Sequence, residues 1–164
     1  MFALRSFLFV LLLVFLLGPF PSVPAQEDYG QEIFSAQVAG IRPGGMIQVT
    51  SHGKRWDLRL ACIRLPEESS GAGRKAKELL TERLMGKFVE VHIWRYTGDG
   101  EIAEGYALFE GVDIRLELTE KGLARYCPGH PDEPALEKAE KAAKAGSLGI
   151  WSDQEKGVLP LCKP

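Results

Sequence analysis

Arg59 and Glu67 are the two side chains whose chemistry and spacing stand out in this sequence. They lie within residues 55–67, which read Arg-Trp-Asp-Leu-Arg-Leu-Ala-Cys-Ile-Arg-Leu-Pro-Glu. A guanidinium presents a rigid fork of donors that matches phosphate oxygens. A positioned carboxylate can take a proton from an attacking water. An arginine on a strand and a glutamate just past its end could therefore serve phosphate chemistry. They could equally form an ordinary ion pair at a strand end, and residue types alone leave both readings open.

The elements that must hold this stretch follow from its periodicity. Trp56, Leu58, Leu60 and Cys62 alternate with Asp57, Arg59 and Ala61, the period of two of a half-buried strand. Pro66 stops it, because proline has no N–H for a sheet ladder. Upstream, residues 33–42 and 46–51 read as strands. Pro43-Gly44-Gly45 and His52-Gly53-Lys54 are the turns between these three strands, since glycine tolerates the backbone of a tight reversal. Three strands joined so closely form an antiparallel meander. Downstream come a loop over 68–73 and a helix over 74–85 with Ala76, Leu79, Leu80 and Leu84 on its apolar stripe. Strands follow over 88–94 and 101–109, then helices over 112–124 and 134–145. His92 falls on the fourth strand as a sheet histidine. The last helix alternates Glu with Lys, a solvated face rather than a nucleic-acid stripe.

The 164 residues allow one ordinary domain with enough apolar content for a core. Residues 1–25 stand apart. Arg5 precedes an unbroken apolar run from Phe7 to Leu17, and Val23-Pro24-Ala25 follows. A charge, a short apolar run and a small-residue site are the grammar of a secretory signal. The run is shorter than the roughly 20 residues that span a bilayer. The sequence thus predicts cleavage after Ala25, an exported domain over 26–164, and no membrane span once the signal is removed. Removing a segment whose one charge is Arg5 takes the net charge from −2 to −3. That balance argues mildly against a polyanionic partner.

Three cysteines, Cys62, Cys127 and Cys162, all fall in the exported part. Oxidising surroundings favour one disulfide and leave one thiol. Cys127 and Cys162 flank the last helix and are the expected pair. Cys62, on the apolar face of the central strand, is expected to be a buried thiol. A metal site built on Cys127-Pro-Gly-His130 lacks further ligands, so no metal is expected there.

Three motifs go further: Arg59-Leu60-x-x-Ile63-x-x-Pro66-Glu67, Lys121-Gly122-Leu123-Ala124 and Gly149-Ile150-Trp151. In this order and spacing they resemble the thermonuclease, or staphylococcal nuclease-like, family over nearly all of residues 26–164. The resemblance implies an α+β fold, a five-stranded OB-fold barrel with three helices, an architecture that often binds oligonucleotides. It also implies calcium-dependent cleavage of DNA and RNA phosphodiesters. In the family two aspartates hold calcium, two arginines neutralise the phosphate, and a glutamate is the proposed base. Arg59 and Glu67 match. Gly45 and Arg64 stand where the calcium aspartates are expected, and Glu104 where the second phosphate arginine is expected.

These are reversals of charge as well as losses. One electrostatic stabiliser removed from such a site typically lowers the rate by about 10²–10³. The sequence therefore predicts a catalytically inactive, exported binding module, with no cofactor and a monomer by default. Its partner would be a protein, a peptide or a glycan. The alternative is a metal-dependent nuclease with an altered site, which would bind nucleic acid and calcium and recruit Asp57, Glu68 and Glu104 as ligands.

Overall fold

The computed structural model describes residues 32–98, 100, 102–129, 133–155 and 160–162. The expected signal segment and His130 lie outside them.

Strand β1 (Glu32–Arg42), β2 (Met46–Ser51) and β3 (Lys54–Leu60) form the meander, antiparallel throughout. The turn after β1 carries Gly44 and Gly45 at φ 76° and 74°, a backbone region that favours glycine. Further on are β4 (Ile63–Arg64), helix α1 (Gly71–Leu84), β5 (Phe88–Thr97) and β6 (Ile102–Phe109). Then come β7 (Val112–Asp113), α2 (Ile114–Glu120), β8 (Arg125–Tyr126) and α3 (Pro134–Ala145). The sheet runs β3-β2-β1-β5-β6-β7, and a parallel pairing of β3 with β6 closes five of its strands into a barrel. Ala36, Val38, Ile47, Val49, Leu58, Leu60, Val91, Ile93 and Ala103 fill the interior. Burying each large aliphatic among them stabilises the fold by about 1.5–3 kcal/mol. Leu80, Leu84, Leu118, Leu136 and Ile150 extend the same core beneath the helices. The α+β five-stranded barrel with three helices is thus present.

Several boundaries differ from the sequence reading, each for a local reason. The central strand stops at Leu60, and Cys62 takes φ 59° in a turn, only half-buried rather than on the strand's buried face. The turn launches β4, which pairs with β8 as a separate two-stranded ribbon. Helix α1 begins at Gly71, inside the expected loop. Ser70 caps it by accepting a hydrogen bond from the Gly73 N–H at 2.9 Å. A Cβ at position 73 would lie 2.0 Å from the Glu67 carbonyl oxygen, so only glycine fits. Helix α2 is shorter than expected, because Val112 and Asp113 pair with β6 before Asp113 caps the helix. Gly122, at φ 66°, follows its end. Glu133 at the start of α3 makes no capping bond and turns to Arg115 instead.

Candidate functional site

Arg59 and Glu104 occupy directly opposed positions on β3 and β6. Their neighbours Leu58, Leu60, Ala103 and Gly105 face the barrel interior, so alternation puts Arg59 and Glu104 on its outer surface. Arg59 is half-buried. Glu104 is buried and accepts hydrogen bonds from Arg95, Nε and Nη2 each lying 2.8 Å from Oε2. A carboxylate thus stands next to Arg59 where a second guanidinium was expected, and it is already neutralised by a cation.

Glu67 lies in the segment before α1, exposed, with Ser69 Oγ at 3.4 Å from its carboxylate. Among the described residues no ion pair joins Arg59 to Glu67. The strand-end ion pair that the sequence left open does not form.

Gly45 and Arg64 test whether calcium fits. Gly45 has no side chain, and a Cβ added there would lie 2.4 Å from Leu65 Cδ2. The apolar Leu65 side chain therefore fills the space an acid at position 45 would need, while φ 74° disfavours any side chain there. Arg64 brings a guanidinium, which repels a dication at close range. The carboxylates proposed for an altered metal site are engaged elsewhere. Asp57 pairs with Arg42 at 3.2 Å and accepts from Gln48. Glu68 pairs with Lys77 at 2.7 Å, and Glu104 with Arg95. No group of three or more His, Cys, Asp or Glu among the described residues is placed to hold a metal ion. The donor set does not fit calcium.

The geometry brings forward Arg115, which the sequence reading passed over. Its guanidinium is almost fully buried beside Asp113 at 2.7 Å and Glu133 at 3.1 Å. It donates to the Ala61 carbonyl at 3.4 Å and lies over the rings of Tyr106 and Trp94. Burial by itself would lower its pKa. The hydrogen bond and charge of Asp113, joined by Glu133, outweigh this and raise it above the ordinary arginine value. Arg115 therefore stays charged and ties the end of β3 to α2 and the start of α3. The signal in the sequence was Asp113-x-Arg115 at a helix start, an acid-cation pair two residues apart on a capping turn.

Cys127 and Cys162 are disulfide-bonded, with their Cα atoms 5.4 Å apart. The Cys127 N–H also donates to the Cys62 carbonyl at 2.8 Å.

The family model of staphylococcal nuclease homologues matches residues 57–153, from the middle of β3 to the end of the chain's core. The chain belongs to the staphylococcal nuclease homologue family. Within that family it is 28% identical over 143 residues to a micrococcal nuclease of Shigella flexneri, covering 80% of this chain and 79% of that one. It is 27% identical over 122 residues to an uncharacterized endonuclease of Haemophilus influenzae, covering 73% and 67% respectively. It is 30% identical over 99 residues to a probable staphylococcal-like nuclease of Oryza sativa subsp. japonica, covering 60% of this chain and 30% of that protein. The chain therefore spans under a third of this plant relative's length.

Proposed function

We propose that this nuclease homologue is an exported binding module that does not hydrolyse phosphodiesters. The observation that carries the reading is the pair of positions next to the strand end: Leu65 occupies the space at Gly45, and Arg64 stands where the resemblance expects an acid. A dianionic transition state needs cations gathered around it. Here Gly45 and Arg64 stand where acids for calcium are expected, and Glu104, whose charge Arg95 already balances, stands beside Arg59 in place of the expected second cation. The chain beginning at Gln26, incubated with single-stranded DNA and calcium, should leave the substrate intact at micromolar enzyme. Scission stimulated by metal and abolished in Glu67→Gln would overturn this reading. Export is supported by the charged, apolar and small-residue order of residues 1–25. The protein recovered outside the cytoplasm should begin at Gln26.

A second reading, an altered metal-dependent nuclease, draws on Glu67. Its carboxylate is exposed and, among the described residues, held only by the long Ser69 contact, and family members of similar length are described as nucleases. This reading requires divalent-cation uptake, which titration calorimetry with calcium and magnesium measures directly. Heats no greater than those of dilution would end it.

A further inference from the structure

The β4–β8 ribbon carries a feature that the family resemblance does not account for. Arg64 and Arg125 are direct cross-strand partners. Partners in an antiparallel pair share a face, with Cα atoms roughly 4.5–5.5 Å apart. Like charges in that relation destabilise a sheet. The other face of the ribbon, Ile63 and Tyr126, is buried in the core, so the two arginines are held on the outside. Both are half-buried, which limits how far they can swing apart.

Neither arginine has an ion pair among the described residues. Each guanidinium has five N–H donors. Arg64 donates to its neighbour's Ile63 carbonyl at 3.1 Å, and Arg125 to the Pro160 carbonyl at 3.3 Å. Two acids close enough to act on Cys62 alongside Arg64 are Glu104 and Glu133. Each is already paired, Glu104 with Arg95 and Glu133 with Arg115. The ribbon is also fixed at its end. The Cys127–Cys162 disulfide brings the last described residues alongside β8, and Cys127 donates across to Cys62.

We propose that Arg64 and Arg125 form a metal-free oxyanion site that takes a phosphate dianion, either free or as a phosphomonoester. Two guanidinium charges match two phosphate charges, and their forks match its oxygens. Leu65, next to Arg64 in sequence, packs against Gly45 and carries no charge. The proposal rests on the reading that the calcium site is gone, because a dication at that place would compete with Arg64.

The test uses the whole exported chain at constant ionic strength, with chloride replaced by inorganic phosphate or by O-phosphoserine. Phosphate should raise the melting temperature above the chloride control, and Arg64→Gln or Arg125→Gln should each weaken binding by about ten-fold. In chloride, Arg125→Gln should melt no lower than the parent, since it relieves a like-charge pair. Response to inorganic phosphate alone marks a free-anion site; response to both marks a monoester site. Should a variant fail to fold, the parent decides the matter. Phenylglyoxal modification, mapped by peptide mass, should be slowed by phosphate at Arg64 and Arg125 and unchanged at Arg42 and Arg83. Equal modification with and without phosphate, or equal thermal shifts in parent and variants, would overturn the site. DNA scission bears instead on the non-hydrolytic reading, so the two failures are told apart.

Discussion

Arg115 concentrates more interactions than any residue that the motifs single out. Its fork binds Asp113 and Glu133 while its plane lies over Tyr106 at 4.4 Å. Breaking a buried pair by removing one partner typically costs about 3–5 kcal/mol. Asp113 and Glu133 each keep 22% side-chain exposure, so water recovers part of that loss. Arg115→Met should therefore lower stability by about 3 kcal/mol in urea unfolding. Arg115→Lys should not restore it, because an ammonium lacks the planar fork. Two other side chains set the alkaline limit. Burial pushes the Cys62 thiol above the usual thiol value, more than Arg115 pulls it down. Burial, then the hydrogen bond and charge of Glu32, push Tyr96 up to about 12. Both groups keep their protons in the folded chain where the unfolded chain has released them. The native state then binds more protons, so stability should fall as pH rises from about 9 towards 12 and be flat with respect to these groups below that window. Urea midpoints taken across this range give the slope. Slow labelling of Cys62 by iodoacetamide at pH 8, relative to the unfolded chain, is the companion measurement.

At the scale of elements, the Gly149-Ile150-Trp151 motif is explained by one close approach. A Cβ on Gly122 would lie 2.3 Å from the Leu148 carbonyl oxygen, and one on Gly149 would lie 2.1 Å from that of Gly122. Both glycines have positive φ, and the Ile150 N–H donates to Gly122 at 2.9 Å. The motif locks the segment after α3 onto the end of α2 and drives Ile150 into the core. Left-handed backbone costs a non-glycine residue about 1–2 kcal/mol, and forced overpacking adds about 1–3. Gly122→Ala should lose about 3 kcal/mol on chemical denaturation, whereas Gly53→Ala, with open space around its Cβ, should pay mainly the backbone term. The strands and helices were legible because their residues repeat with periods of two and 3.6. The β4–β8 ribbon was not, since a two-residue strand has no period to detect. Nor was the start of α1, where Gly71 and Gly73 read as loop residues until the Glu67 carbonyl is seen to exclude any side chain at Gly73. At the site, the identities of Gly45, Arg64 and Glu104 were readable one by one. What reached them from other strands and loops, Leu65, Arg125 and Arg95, depended on tertiary pairing.

For the molecule as a whole, the disulfide joins the chain's end to its middle. Cys127 and Cys162 are 35 residues apart in sequence, and the loop they close contains α3 and Ile150. Cross-linking a loop of that length removes unfolded-state entropy worth about 3–4 kcal/mol. Opening it also frees Pro160 from beside Arg125, so stability and the arrangement of the ribbon are coupled. The informative variant is not the single Cys162→Ser. That change leaves Cys127 as a thiol opposite Cys62, whose carbonyl it already contacts at 2.8 Å. That contact brings the two cysteines together, so a new bond between them would mask the loss. Replacing Cys127 and Cys162 together by serine removes both routes. The double variant should unfold about 3 kcal/mol more easily than the oxidised parent and match the parent after reduction. A loss below about 1 kcal/mol would mean that the C-terminal segment contributes little to the folded barrel, and that Arg125 is positioned by β8 alone.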